Sequence, residues 1–103
     1  MDRIEKLKEF LQADPQDSFV QHALALEYIK IGNEVLARQL FESIIEREPG
    51  YTGTYYHLAK LLERSGETGK AIKVYEKGMA EAKKAGENHV YGELRSAYEE
   101  LIF

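Results

Sequence analysis

Residues 18–51 read SFVQHALALEYIKIGNEVLARQLFESIIEREPGY, and residues 52–85 read TGTYYHLAKLLERSGETGKAIKVYEKGMAEAKKA. Set one beneath the other, the two lines share Leu24 with Leu58, Ala25 with Ala59, Gly32 with Gly66, Ala37 with Ala71 and Glu42 with Glu76, always 34 residues apart. Ser18 matches Thr52 and Phe41 matches Tyr75 in kind, and the two prolines of the chain, Pro15 and Pro49, keep the same spacing. A fixed period of this size marks a stacked repeat, in which each unit is one supersecondary element whose apolar face is buried by its neighbours.

Each unit reads as two helices. Gln21, Leu24, Ala25 and Tyr28 fall on one face at helical spacing, and Gly32-Asn33 then breaks the helix and supplies left-handed backbone for a tight turn. Ala37, Leu40, Phe41, Ile44 and Ile45 form the stripe of the second helix, which Pro49-Gly50 ends. The next unit repeats this with Tyr55, Leu58, Ala59 and Leu62, a turn at Gly66, then Ala71, Val74 and Tyr75, with Thr52 as N-cap of its first helix. Two antiparallel helices approach closely only where one presents a small side chain, a role available to Ala25, Ala37, Ala59 and Ala71, and Phe41 or Tyr75 fills the space between neighbouring units.

The flanks extend the pattern. Residues 1–15 carry Ile4, Leu7, Phe10 and Leu11 on one face and stop at Asp14-Pro15, which reads as the second helix of a half-repeat. Lys83 stands where the period calls for a proline, so the fifth helix runs to about Ala85 and Gly86 stops it. Residues 87–102 place Val90, Leu94, Ala97, Tyr98 and Leu101 on one stripe and read as a capping helix. The expectation is therefore one all-α domain of about six helices: a half-repeat at 1–15, repeats at 18–51 and 52–85, and a cap at 87–102.

Bulk properties exclude several classes. At 103 residues, 44% hydrophobic and 31% charged, the chain suits one compact domain. No stretch approaches the roughly 18 apolar residues of a membrane span, and the N-terminus lacks the apolar core of a secretory signal. Without cysteine there is no disulfide framework, thiolate zinc site or thiol nucleophile. These features give a cytoplasmic expectation. The net charge of −4 is spread over interleaved acids and bases, with no basic stripe for nucleic acid.

These residues resemble the tetratricopeptide repeat family. Its small residues fall on Ala25, Ala37, Ala59, Ala71 and Gly78, its large apolar residues on Leu24, Tyr28, Phe41, Tyr55, Leu58, Leu62 and Tyr75, and its proline on Pro49. Gln21, Ile44 and Lys83 depart from the pattern. The two full repeats cover about two thirds of the chain. The resemblance implies a right-handed α-α superhelix of antiparallel helix pairs, with a concave groove, lined by the first helix of each pair, that binds peptides or partner proteins. Members that grip the C-terminal carboxylates of heat-shock chaperones use a lysine and two asparagines at positions that here hold His22, Leu26 and His57, so that activity is not carried over.

Helix geometry selects the candidate groove. Positions opposite the packing faces are Phe19, His22, Leu26 and Ile29 on one first helix and Tyr56 and Lys60 on the next, with His57 and Arg64 at the margins. Helix 18–31 is apolar nearly all round, which requires burial on more than one side, either against the half-repeat or under a partner. An apolar part beside a Tyr/His/Lys part suits a segment with hydrophobic anchors and an acidic residue. The expected function is a non-catalytic protein-interaction module without cofactor, metal or catalytic residues. The alternatives are a homodimer formed through the same surface or through Leu101-Ile102-Phe103, and an enzyme or metal protein. Against the last, His22, His57 and His89 show no i, i+4 pair. Gly66-Glu67-Thr68-Gly69-Lys70 lacks the upstream glycine and strand of a phosphate loop.

Overall fold

The computed structural model describes residues 2–103, and these form six helices: α1 (Arg3–Ala13), α2 (Ser18–Lys30), α3 (Glu34–Arg47), α4 (Gly53–Arg64), α5 (Thr68–Ala85) and α6 (Asn88–Ile102). The fold is all-α. The chain makes two compact units, the first ending at Glu48 and the second being Pro49–Phe103. In the first, α2 packs against both α1 and α3. In the second, α5 packs against both α4 and α6, and α4 also touches α6.

The starts of α1, α2 and α3 are set by short polar side chains. Asp2, Asp17 and Asn33 accept from the amides of Glu5, Val20 and Leu36 at 2.9, 3.1 and 3.2 Å, each satisfying an N–H that the helix cannot. The ends of α2, α4 and α5 are set by glycine. Gly32, Gly66 and Gly86 have φ of 81°, 80° and 74°, which a side chain resists. At each, the amide after the glycine reaches back across the last turn: Asn33 to the Tyr28 carbonyl at 2.8 Å, Glu67 to Leu62 at 2.9 Å, Glu87 to Ala82 at 2.9 Å. These are Schellman closures, and they reverse the chain within two residues.

Three expectations need correction. Thr52 stands at the start of α4 but does not cap it. Its backbone is helical, so its hydroxyl cannot curl back onto the first turn, and it donates to Glu87 at 2.6 Å instead. Phe10 is 51% exposed, because α1 packs chiefly against α2 and Leu7 takes that buried position. Tyr98 is half-buried, with its hydroxyl 3.2 Å from Glu76, while Leu94 and Ala97 carry the buried face of α6.

The cores follow the repeat. Ala25, Ala37, Ala59 and Ala71 are fully buried, as are Phe41 and Tyr75. The departures from the family pattern are paired. Gln21 is buried and Ile44 fully buried in the first unit; their counterparts 34 residues on are Tyr55 and Gly78. A Cβ on Gly78 would lie 2.6 Å from Tyr55 Cβ and 3.0 Å from Leu94 Cδ1, so Gly78 is what lets α4 and α6 approach α5. Gln21 Nε2 donates to the Pro15 carbonyl at 3.1 Å, and Tyr55 donates its hydroxyl to the Pro49 carbonyl at 2.6 Å. Two different side chains thus satisfy the same carbonyl of the period.

Candidate functional site

In the first unit the N-terminus of α2 is fixed by a polar network. Arg47 Nη2 donates to Ser18 Oγ at 2.8 Å and to Gln21 Oε1 at 2.9 Å, and Ser18 Oγ donates to Glu48 at 2.8 Å. A different face of α2 carries the candidate site. On that face Phe19, His22, Ala23, Leu26, Glu27 and Lys30 line a recess of about 370 Å³, together with Arg3 of α1. Phe19 is 72% exposed, while His22 and Leu26 are half-buried. The His22 ring lies 5.4 Å from that of Phe41 and so leans on the core. Glu27 Oε2 receives both Arg3 Nε at 3.3 Å and Lys30 Nζ at 3.0 Å.

In the second unit Tyr56 and Lys60 of α4 line a recess of about 530 Å³ whose other wall is α6, with Asn88, His89, Gly92, Glu93, Ser96, Ala97 and Glu100. Lys60 sits 5.6 Å from the centre of the Tyr56 ring and 3.6 Å from Glu63. His89 lies 3.3 Å from Glu93. His57 lines, with Tyr56, Val90 and Glu93, a smaller recess of about 120 Å³ between α4 and α6. Burial, and secondarily Arg64, lowers the His57 pKa below the usual imidazole value, with Glu93 acting the other way. Burial chiefly, and Glu81 in addition, pushes Tyr55 up to about 12. Burial and the hydrogen bond to Glu63 raise Tyr75 further.

The structure therefore brings Phe19, His22 and Leu26 into one recess and Tyr56 and Lys60 into another. Ile29 is half-buried and lines neither, and Arg64 lines neither. Sequence reasoning missed Arg3, Ala23, Glu27 and Lys30, and the whole α6 wall. Spacing along α2 could have found Ala23, Glu27 and Lys30, which are one helical turn from Phe19, Ala23 and Leu26 respectively. The α6 wall had no such signal, because its residues follow no repeat. Among the described residues, no group of three or more His, Cys, Asp or Glu is placed to hold a metal ion, and no helix is long and apolar enough to cross a membrane.

No family model matches the chain. A tetratricopeptide repeat domain protein from Salinibacter ruber, solved in solution by NMR, is 42% identical, with a TM-score of 0.81 over 85% of this chain and 89% of that one. A protein from Bordetella parapertussis has the same fold at 22% identity, with a TM-score of 0.83 over 99% of this chain and 89% of that one. The interferon-induced protein with tetratricopeptide repeats 3 of Mus musculus is 20% identical over 99 residues, and the chain spans 24% of its length. The 34-residue period, the glycine closures that end both repeated first helices, and a relative 42% identical over most of its length converge, and the chain belongs to the tetratricopeptide repeat family.

Proposed function

We propose that this chain is a non-catalytic interaction module that binds a peptide segment of a partner protein on the outer face of α2. The fold is one that generally mediates protein–protein contacts. The observation that carries the reading is Phe19. It is a large aromatic left 72% exposed at the end of a recess whose floor holds Ala23 and Leu26. A helix that already buries Leu24, Ala25 and Tyr28 on its other side has no folding reason to present an aromatic outward. Aromatic anchors bordering a preformed apolar recess are where binding energy concentrates. The repeat boundaries at 18–51 and 52–85, with 87–102 as cap, belong to the same proposal, as does a cytoplasmic location.

The test is selection of twelve-residue peptides (about the length of short linear motifs) from a random displayed library, followed by amide NMR mapping of a selected peptide. Shifts concentrated between Phe19 and Lys30 support the reading; shifts confined to α6 or α5 contradict it. The second reading is self-association through the C-terminal turn, where Phe103 is 95% exposed and Ile102 is also exposed. Sedimentation at several concentrations separates the two, since only self-association makes the mass concentration-dependent.

A further inference from the structure

We infer that the partner segment seated on α2 carries a carboxylate about five residues from its apolar anchor, received by Arg3 and Lys30. This deepens the proposed function and rests on it. Glu27 Oε2 receives both cations at one oxygen, at 3.3 and 3.0 Å, with the glutamate side chain 16% exposed and those of Arg3 and Lys30 65% and 71% exposed. One carboxylate thus holds two cations, and this end of the recess keeps a net positive charge on a chain of net charge −4. Glu27 engages the guanidinium through Nε, and a guanidinium carries further N–H donors in the same plane that suit a planar acceptor. Lys30 alone has a structural explanation, since it ends α2 and a cation there complements the helix dipole. Arg3 has the opposite placement, at the first residue of α1, where that dipole disfavours a cation. Its position beside Glu27 is therefore not a helix-end effect.

The recess has a direction. Phe19 and Lys30 stand 11 residues apart on one helix, or about 16 Å. An extended segment covers that in about five residues. The ligand is thus a short extended stretch with a large apolar side chain at one end and Asp or Glu about five residues away. The second unit's recess is not an equivalent acceptor of acid. Its cation, Lys60, is paired with Glu63, and Glu93 and Glu100 line it. The acidic ligand residue expected from the sequence near Lys60 belongs instead at Arg3 and Lys30.

The experiment titrates the whole chain with three end-blocked synthetic peptides. Each has a Phe-Leu pair followed, about five residues on, by a Glu pair, a Gln pair or a Lys pair. Amide NMR reads site and affinity together. The Glu peptide is expected to shift amides from Phe19 to Lys30 and to bind about fivefold tighter than the Gln peptide, with the Lys peptide weakest. The advantage should vanish at high salt and in the Arg3→Gln/Lys30→Gln double variant, while the Gln peptide binds that variant as it binds wild type. Equal affinity of all three peptides at α2 overturns this inference and leaves the peptide-binding reading standing. Shifts elsewhere, or none with any peptide, overturn both. Movement of the same amides on dilution without peptide assigns the recess to a second copy and also overturns it.

Discussion

The two repeated helix pairs, α2–α3 and α4–α5, fill the same crossing in opposite ways. In α2–α3 the inner position of the first helix holds Gln21 and that of the second holds Ile44; in α4–α5 the same positions hold Tyr55 and Gly78. The bulk has moved from the second helix to the first. At this crossing α4 and α5 approach so closely that even a methyl group on Gly78 would lie 2.6 Å from Tyr55 Cβ. A repeat period fixes where side chains meet and leaves open which helix supplies the volume, so the two residues must change together. The recesses differ likewise. One is an apolar face of α2 ending in two cations, the other a mixed polar cleft walled by α6.

The largest expected effect comes from forcing one pair into the other's arrangement. Gly78→Ile should cost more than about 3 kcal/mol, since the clash is with atoms near the Tyr55 backbone that cannot swing away. Adding Tyr55→Gly, which removes the Cβ and Cγ that the new side chain meets, should recover at least about 1 kcal/mol, visible as non-additivity in a denaturant double-mutant cycle. Strict additivity would show that the two positions do not share one space. Ile44→Ala tests the other half. Removing volume from this fully buried site should cost about 2–4 kcal/mol, whereas at Gly78 it is addition of a methyl that destabilises. A tolerated Ile44→Ala would mean that the first crossing is not filled from α3.

A smaller effect attends the shared proline carbonyls. Tyr55→Phe keeps the ring and removes the donor to Pro49, so the unfolding free energy should fall by about 1 kcal/mol. The same bond has a pH signature. Tyr55 is held at about 12 against an ordinary value of 10.0, so the fold binds its proton more tightly than the unfolded chain does. That stability is complete below pH 10 and is lost as the pH rises towards 12. Tyr55→Phe should flatten this alkaline decline, and an unchanged decline would assign it to other groups, Tyr75 first. The smallest effect is acidic. His57 is lowered from 6.5, so the unfolded chain takes up its proton first, and stability should decline as the pH falls below 6.5. His57→Gln should reduce that slope, measured as thermal midpoint against pH.

Much of this architecture is written in the residues. The turns at Gly32 and Gly66, the stop at Gly86 and the buried alanines all follow from left-handed backbone and close helix approach, which few residue types permit. The cap role given to Thr52 failed because residue type does not reveal whether the backbone before a helix is extended or already helical. Phe19, His22 and Leu26 were legible because they share one helix face. Arg3 was not, because its place beside Glu27 depends on how α1 lies along α2, which no spacing within either helix encodes. The α6 wall was hidden for the same reason. Its stripe shows which side is buried and says nothing of what the other side faces.

The central claim is that the face of α2 is where a partner segment docks. Its most direct test is calorimetric affinity of a library-selected peptide for wild type, Leu26→Glu and Lys60→Ala, with helix content checked by circular dichroism. Leu26→Glu removes the apolar floor of the first recess and sets a carboxylate one turn from Lys30, where it competes with the ligand for that cation, on a residue that favours helix; it should weaken binding at least about tenfold with helicity intact. Lys60→Ala, in the other unit, should change it less than about threefold. A Leu26→Glu protein that folds normally and binds like wild type, or a Lys60→Ala protein that loses binding, would contradict the assignment.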